Sequence, residues 1–301
     1  ASRATLPSLM ADVSPNFSQD ALVLIAHGST VNAQSSAPTR RLADELRARN
    51  LFAEVACAFN LEEPKINEVP QLVSAQRIFV VPVTISEGHF TEETIPFRLK
   101  LCTKGQCDCP AGECHYPRVK AVAGKKIIYC RPIGTHASMT EVLLARATET
   151  MAMHPFPRAP KLAESALFIA GHGTGRNANS RKAIDKQVDL IRARGEFADV
   201  QAAFMEEAPF IGDCYGATEA KCIVMVPFFI ADGLHTVEDI PVLLGEPEDR
   251  VKKRLSAGKP TWRNPTERKG KLVWYTKAIG SEGNEALLAE VILARAKEGD
   301  S

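Results

Sequence analysis

The sequence contains no run of apolar residues that approaches the about 20 needed to span a bilayer, so nothing in it predicts a transmembrane segment. The formal net charge is only +1, so the overall charge does not favour nucleic acid or a membrane surface as a partner, and an anionic ligand must be met by a local cluster of cations. The 301 residues contain eight cysteines, which is not the density of a small secreted disulfide scaffold. Four of the eight lie close together, which favours metal binding in a reducing compartment and predicts a cytoplasmic protein.

Several catalytic motifs are missing as well. There is no Gly-x-Ser-x-Gly elbow of a hydrolase and no dinucleotide fingerprint or P-loop. Two His-Gly-[Ser/Thr] stretches are similar to phosphohistidine mutases, but those enzymes need an arginine before the histidine, and Ala26 and Gly171 stand there. With 45% apolar and 24% charged residues, the composition is that of an ordinary globular protein with a buried core.

The most informative feature present is an internal repeat. An offset of 145 residues relates His27 to His172 and also a series of further identities: Phe59 and Phe204, Pro82 and Pro227, and Pro96 and Pro241. An ungapped register of this length predicts a tandem duplication. We expect a disordered tail over residues 1–20, a first lobe over residues 21–158, a linker at 159–164 and a second lobe over residues 165–298.

Each copy alternates apolar runs of strand length with stretches of helical spacing. The predicted strands are 22–26, 52–59, 78–85 and 126–130 in the first copy, and 167–170, 197–204, 223–230 and 272–275 in the second. The predicted helices are 38–49, 66–72, 181–194 and 211–217, and each copy closes with a helix after a glycine turn at Gly134 or Gly280. This order predicts an α/β fold in which each lobe has a parallel four-stranded sheet flanked by helices, with a cleft between the lobes.

Three candidate ligands follow strand ends in the second copy. His172 follows the first strand, Glu206 the second, and His235 the third, within the stretch Val226–Pro241. Because the carboxyl ends of parallel strands meet at one edge of a sheet, we expect these side chains to converge. Two imidazoles and a carboxylate suit a divalent ion such as Co²⁺, Fe²⁺, Ni²⁺ or Zn²⁺, and they can also accept protons near neutral pH. The alternative is that each residue merely caps a helix or bonds to backbone.

The first copy departs from this pattern at two positions. Leu61 stands where Glu206 stands in the second copy, and Phe90 stands where His235 stands, so that His89 comes one residue early. We therefore predict the main site in the second copy and treat His27 with His89 as a second-choice metal site.

The order of these elements resembles the CbiX/SirB family of class II chelatases: His-Gly-[Ser/Thr], then Phe-x-Glu, then the Val-Pro, Gly-x-His and Asp-Ile-Pro elements of residues 226–241. The likeness covers almost the whole chain as two copies, as in the long members. It implies a chelatase-like fold and insertion of Co²⁺ or Fe²⁺ into sirohydrochlorin, a polyanionic tetrapyrrole, on the way to cobalamin or sirohaem.

The resemblance also implies roles for residues. His172 and His235 are then the metal-binding and proton-accepting pair with Glu206 beside them. The tetrapyrrole pocket is lined by seven neighbours: Met205, Phe229, Ile230, Ala231, Asp232, Gly233 and Leu234. Cations at the starts of the first helices are candidates to bind the substrate carboxylates, namely Arg40, Arg41, Arg176, Arg181 and Lys182. A monomer or a small homo-oligomer is expected.

Each copy carries an insert in the same place. The insert at 98–118 contains Cys102, Cys107, Cys109 and Cys114, whose spacing matches neither plant-type ferredoxins nor zinc ribbons. Because some members of the family carry iron–sulfur clusters, the resemblance favours such a cluster over zinc, disulfides or free thiols. The other four cysteines are predicted to be buried apolar residues. The basic insert at 245–271 is either a cover that attracts the anionic substrate or a solubilising loop.

Two other classes of function stay open on the sequence alone. One is a metal- or tetrapyrrole-binding carrier or sensor without turnover, which would use the cysteine cluster. The other is an interaction protein assembled through the two inserts. The complete set of His172, Glu206 and His235 favours the enzyme.

Overall fold

The computed structural model describes residues 16–30, 35–102, 116–173 and 178–300. The elements of the first half are β1 (Ala21–Ala26), α1 (Ala37–Ala48), β2 (Glu54–Phe59), α2 (Val69–Leu72), β3 (Arg77–Pro82), α3 (Ile95–Arg98), β4 (Val119–Val122), β5 (Lys125–Tyr129) and α4 (Met139–Met153). Those of the second half are β6 (Ser165–Gly171), α5 (Asn179–Arg192), β7 (Asp199–Phe204), β8 (Cys222–Pro227), α6 (Ile240–Leu243), α7 (Glu248–Ser256), β9 (Thr266–Arg268), β10 (Lys271–Tyr275) and α8 (Glu285–Asp300).

The two halves form separate sheets of the same topology, with strand orders β2-β1-β3-β5-β4 and β7-β6-β8-β10-β9. Four strands of each sheet are parallel, as predicted from the alternation of strands and helices. The prediction of four strands per sheet is wrong by one, because the end of each insert folds back as an antiparallel edge strand. A two-residue turn joins β4 to β5 and β9 to β10, which is the shortest connection between antiparallel neighbours.

The helices after the first strands confirm the predicted positions, since α1 and α5 begin and end within two residues of the expected ranges. Each of them buries one apolar face against its own sheet, as its periodic sequence requires. The shorter helices predicted at 66–72 and 211–217 are only partly present. The first is a 3₁₀ turn followed by α2, and the second is a single 3₁₀ turn at Ile211–Asp213.

The closing helices are exchanged between the halves. Helix α4, which ends the first half, packs on β8 and β10 of the second sheet, and α8 packs on β3 and β5 of the first sheet. At the far end of α4, the indole Nε1 of Trp274 donates to the carbonyl oxygen of His154 over 3.0 Å. The division of the chain into lobes at 21–158 and 165–298 stays a prediction. In the structure, each sheet is completed by a helix from the other segment.

A buried arginine holds each exchanged helix in place. Arg146 of α4 donates to the carbonyl oxygens of Ser281 (2.6 Å) and Glu282 (3.1 Å) in the loop after β10. Arg295 of α8 donates to the carbonyl oxygen of Pro132 (3.0 Å) in the loop after β5. Both side chains are about 95% buried, and removing the partner of a buried charge is costly. The two loops and the exchanged helices are therefore tied together.

The exchange creates one central core that both halves share. It lies between the sheets and contains residues of α1, α4, α5 and α8, while the outer face of each sheet has a smaller core of its own. The predicted disordered tail over residues 1–20 extends too far toward β1. Phe17 is buried and stacks on Phe52 with ring centroids 4.6 Å apart. Within the described ranges no helix is both long and apolar enough to cross a membrane.

Candidate active site

His172 is placed by the sharp end of β6. The next residue, Gly173, has φ +71°, and a Cβ there would lie 2.9 Å from Cβ of Phe204 and 2.8 Å from Cγ of Glu207. A left-handed conformation with no room for a side chain requires glycine, and Gly28 repeats it with φ +66°. The carbonyl oxygen of His172 accepts the backbone N–H of Glu206 at 3.0 Å. This hydrogen bond ties the end of β7 to the end of β6, so that Glu206 lies beside His172.

His235 begins a π-helical turn that spans His235–Asp239 and continues into α6. The phenol of Tyr275 on β10 donates to the carbonyl oxygen of Thr236 at 2.6 Å, and this contact fixes the turn on the sheet. Within the turn, Nδ1 of His235 lies 2.7 Å from Oδ2 of Asp239. Such turns are rare and occur frequently at functional sites.

The structure brings the two predicted histidines together. The ring centroids of His172 and His235 are 4.8 Å apart and the rings meet edge to face at 83°. Their side chains are 37% and 49% exposed, so the pair is open to solvent. The two imidazoles therefore lie together in one solvent-open area at the ends of β6 and β8.

The partners of the two Nδ1 atoms define the tautomers. Nδ1 of His172 lies 2.8 Å from the carbonyl oxygen of Gly173, and Nδ1 of His235 faces the carboxylate of Asp239. A carbonyl or a carboxylate only accepts, so each Nδ1 carries the proton and donates it. The lone pair of each neutral ring is then on Nε2, which leaves that atom to bind a metal or to accept a proton.

Glu206 lies near the pair without completing a three-ligand set. Its Oε2 is 3.7 Å from Nδ1 of His172, the atom already bonded to Gly173, and its side chain is 59% exposed. Among the described residues no group of three His, Cys, Asp or Glu side chains has the arrangement of a metal site. The geometry therefore brings together two imidazoles with a carboxylate beside them, and it leaves coordination positions open.

The first half has a different pair at the equivalent position. Phe90 begins the π-helical turn Phe90–Thr94, as His235 begins its own, and its ring stacks on His27 with centroids 3.7 Å apart. His89 is 78% exposed, and its Nδ1 faces Glu93 at 3.1 Å. Desolvation lowers the pKa of His27, although the residue as a whole remains exposed. The second-choice site of His27 and His89 thus has a phenylalanine ring against its inner histidine.

The structure places the seven residues predicted to line the tetrapyrrole pocket in several different surroundings. Phe229 lies near His235, with ring centroids 6.2 Å apart, and Met205 is half-buried beside the outer core. Ile230 and Ala231 instead line a hollow of about 410 Å³ together with His27 and Phe90 of the first half. This hollow lies between the halves, where the sequence predicted a cleft. The last three residues of the set are Asp232, Gly233 and Leu234.

Asp232 anchors a loop. Its Oδ1 accepts the backbone N–H of Ala278 at 3.0 Å, and its Oδ2 accepts the hydroxyl of Ser281. The predicted glycine turn at Gly280 is required here, because a Cβ would overlap the carbonyl oxygen of Ile230. Gly233 bonds through its backbone to Thr236. Leu234, by contrast, is 66% exposed next to His235 and is free to contact an apolar ligand.

Asp239 is a further candidate site residue, to which the sequence alone assigned no role. It lies in the Asp-Ile-Pro element that follows His235 by four residues. A spacing of i and i+4 places two side chains on the same face of a helix, and this was the signal that pairs them. A carboxylate behind a ligating histidine fixes its tautomer and raises its basicity.

Most of the predicted carboxylate-binding cations are already paired within the protein. Arg40 contacts Glu62, Arg181 contacts Glu207, and Arg41 contacts Glu285. Each of these arginines also donates to a backbone carbonyl, which indicates a structural role at the helix starts. Lys182 lies on α5 and lines a hollow beside β5. Arg176 lies outside the described residues.

Three of the four cysteines predicted to be buried apolar residues are buried, and the fourth is partly exposed. Cys57, Cys130 and Cys214 are buried and Cys222 is half-buried, and burial raises the pKa of the Cys130 thiol to about 12. Of the cysteine insert, Cys102 is half-buried. The other three predicted cluster ligands, Cys107, Cys109 and Cys114, lie outside the described residues, so the cluster stays a prediction.

Comparison with known proteins agrees with the duplicated architecture. The family model CbiX matches residues 21–150 and again residues 166–299. A probable sirohydrochlorin cobaltochelatase of Halobacterium salinarum is 38% identical over 281 residues, which cover 92% of this chain and 91% of the relative. A sirohydrochlorin cobaltochelatase of Methanopyrus kandleri is 39% identical over 141 residues, which cover 44% of this chain and 95% of the relative.

A solved structure extends the likeness to the fold. SirB from Bacillus subtilis with Fe³⁺ superposes with a TM-score of 0.60 at 15% identity, covering 93% of this chain and 95% of that chain. The fold is thus a chelatase-like α/β fold with two mixed, mostly parallel sheets. The chain belongs to the CbiX family, in a long form with two CbiX segments.

Proposed function

We propose that this protein is a sirohydrochlorin chelatase that inserts Co²⁺ into the tetrapyrrole in cobalamin biosynthesis. The observation that carries the proposal is the edge-to-face pair of His172 and His235, with Glu206 beside it. The relative that matches along both halves of this chain is named as a probable sirohydrochlorin cobaltochelatase, and a shorter relative that matches 44% of the chain is named as a sirohydrochlorin cobaltochelatase. The metal in this reaction is a substrate.

The reaction exchanges two protons for one metal ion. Co²⁺ enters the ring, four pyrrole nitrogens become its ligands, and the two N–H protons leave. A neutral imidazole is a suitable acceptor near neutral pH. The Nε2 atoms of His172 and His235 hold the lone pairs that this step needs, since their Nδ1 atoms are engaged.

The same atoms suit delivery of the ion. Two imidazole ligands hold a borderline divalent metal, and a site with open positions lets the incoming ring nitrogens complete the coordination. Glu206 is exposed enough to contact the hydrated ion and to offset its charge. Phe229 and the exposed Leu234 adjoin His235 and offer apolar surface for the face of the macrocycle.

An absorbance assay with sirohydrochlorin and Co²⁺ tests the proposal. We expect the purified protein to accelerate the spectral change of metal insertion well above the spontaneous rate. The same assay with Fe²⁺ compares the two candidate metals, and we expect Co²⁺ to be the better substrate. A protein that binds sirohydrochlorin but leaves the spontaneous rate unchanged would instead be a carrier or sensor.

We further propose that the four cysteines of the first insert bind an iron–sulfur cluster. Four thiols within thirteen residues are close enough in sequence to surround one metal centre, and thiolates are the usual ligands of such clusters. Anaerobically purified protein should contain iron and acid-labile sulfide in proportion and should lose both when the cysteines are replaced by serine. Zinc without sulfide would contradict the cluster proposal. It would not bear on the separate proposal of Co²⁺ insertion.

A further inference from the structure

A groove of about 930 Å³ lies beside the π-helical turn that begins at His235. Its walls come from the end of α4, the basic insert around α7, and the segment after β10. The turn contributes Thr236 and Val237, whereas His172, Glu206 and His235 are not among the lining residues. The volume is in the range of pockets that hold small organic ligands. The groove is therefore a second concave region next to the candidate active site, and of the residues predicted to line the tetrapyrrole pocket it contains only Asp232.

The floor of the groove is apolar and firmly held. It contains Trp262 and Tyr275, both more than 90% buried. The indole of Trp262 donates to the carbonyl oxygen of Val273 at 3.3 Å. Asn264 exchanges two hydrogen bonds of 2.8 Å with the backbone of Tyr275. These contacts fix the basic insert on β10, so this part of the insert is a built wall and not a solubilising loop.

The rim of the groove is cationic. It carries Lys259, Arg263 and Lys277, which are exposed and which no acidic side chain of the described residues pairs. Arg254 also lines the groove and donates to the carbonyl oxygen of Thr261 at 3.2 Å. Arg146 adds a fifth positive charge, almost fully buried, and its Nε has no hydrogen-bond partner among the described residues.

Three acidic side chains also line the groove, but two of them are engaged. Glu149 contacts Arg146 at 3.5 Å, and Asp232 accepts from Ala278 and Ser281. The third is Glu282. With five cations and three anions the groove has an excess of positive charge, and in a concave surface with apolar walls such an excess attracts anions strongly.

We propose that this groove is a separate binding site for an amphipathic polycarboxylate. The apolar body of the ligand packs against Trp262 and Leu255, and its carboxylates meet Lys259, Arg263 and Lys277. Two sources offer this chemistry: a second molecule of a carboxylated tetrapyrrole, or an unrelated organic acid with an apolar body.

Occupancy of the groove reaches the candidate active site through one element. Thr236 and Val237 line the groove and immediately follow His235, and α7 packs on the same π-helical turn. A ligand that contacts Thr236 and Val237 therefore touches the turn directly, next to its contact with Tyr275. A ligand in the groove is thus placed to affect the position of His235. Binding experiments alone test whether the site exists.

Isothermal titration calorimetry without metal tests the proposal with two probes, sirohydrochlorin and benzene-1,3,5-tricarboxylate. The test variant is Lys259→Glu with Arg263→Glu, which reverses two exposed charges on the rim. The matched control is Lys252→Glu with Lys269→Glu, which makes the same change of net charge in the same insert but outside the groove. Circular dichroism and thermal unfolding of all variants confirm that they fold.

We expect the rim variant to bind benzene-1,3,5-tricarboxylate at least about 30-fold more weakly than wild type, since two charge-assisted contacts become repulsive. The control should stay within about threefold, as expected for charges farther from the ligand. If the tetrapyrrole is the source, its stoichiometry falls from two to one per chain in the rim variant. If sirohydrochlorin keeps one site in both proteins, the source is an unrelated organic acid.

The proposal is overturned if the rim variant changes the binding of neither probe. The titrations are repeated on His172→Ala with His235→Ala, which removes the candidate metal ligands. Groove binding should persist in that protein, because His172 and His235 do not line the groove. The groove can therefore be tested independently of metal insertion.

Discussion

The two halves of this protein share one scaffold and differ at the point where its chemistry lies. Both end their first strand in a histidine and a left-handed glycine, and both begin a π-helical turn 63 residues later, at Phe90 or His235. The second half therefore has two facing imidazoles, whereas the first has an imidazole stacked on a phenyl ring. His89, which precedes the turn by one position, is 78% exposed and borders the hollow that His27 and Phe90 also line. A duplicated scaffold can thus keep its fold while the side chains at its strand ends differ.

The inserts of the two halves also differ. In the second half the insert forms α7 and packs on the π-helical turn behind His235. In the first half the corresponding segment contains the cysteines. In the half where two histidines face each other, the insert thus supports the turn with a structured, cationic wall.

The largest expected effect is the loss of activity in His235→Ala. This change removes one Nε2 acceptor and one metal ligand, and we expect kcat/KM for Co²⁺ insertion to fall by at least about 100-fold. The matched change in the first half is His89→Ala, which should alter the rate less than about threefold because the side chain is exposed. The absorbance assay measures both. A larger loss in His89→Ala would move the active site to the first half.

The glycine turns allow the same comparison at the level of stability. A Cβ at Gly280 would overlap the carbonyl oxygen of Ile230, and one at Gly134 would overlap that of Ile85. We expect each Gly→Ala variant to lose about 2–3 kcal/mol of unfolding free energy, as for other overpacked sites, measured by urea denaturation. Only Gly280→Ala should also impair insertion in the folded protein, since its loop binds Asp232 near His235. Equal activity in the two variants would break the distinction between the halves.

A smaller effect is expected for Asp239→Asn. The carboxylate holds Nδ1 of His235 in the donating tautomer, and the loss of such a partner costs about 10- to 100-fold in metal affinity or activity. Co²⁺ binding measured by calorimetry should weaken toward the lower end of that range, because the site is exposed. In the first half, Glu93→Gln makes the same change behind His89 and should leave Co²⁺ binding unaltered. Equal losses in the two variants would contradict the assignment.

The smallest expected effect concerns acid stability. Desolvation lowers the pKa of His27, so the unfolded chain binds a proton below about pH 6.5 while the folded chain does so only at lower pH. Unfolding free energy therefore falls as the pH drops from about 6.5 toward the folded pKa. His27→Gln removes this contribution, and its stability should decline less steeply in urea titrations between about pH 5 and 7. An unchanged slope would show that His27 is not desolvated.

Much of the site could be predicted from the sequence, because its residues lie directly after strands that the sequence reveals. His172, Glu206 and His235 each follow a buried apolar run, and parallel strands place such residues at one edge. The offset of 145 residues also predicted that Phe90 takes the place of His235. The three predicted side chains do lie together, although Oε2 of Glu206 approaches Nδ1 of His172 and the three do not have the arrangement of a three-ligand metal site.

The exchange of the closing helices was beyond the sequence for a physical reason. Helices α4 and α8 bury residues on most of their faces, so their sequences indicate burial without indicating the partner. Either sheet offers an apolar surface, and the loops before both helices are long enough to cross. The choice depends on contacts such as those of Arg146 and Arg295, whose partners are distant in the chain.

The sequence by itself determined the duplication, the order of strands, and which half carries two histidines, because these follow from local periodicity and from comparison of the chain with itself. Only the tertiary structure decided that the halves exchange helices, that Asp239 orients His235, and that the basic insert forms one wall of a groove with Arg146 from the other half. Each of these depends on residues that come together only when the chain folds. A sequence pattern gives spacing along the chain and does not give distances in space.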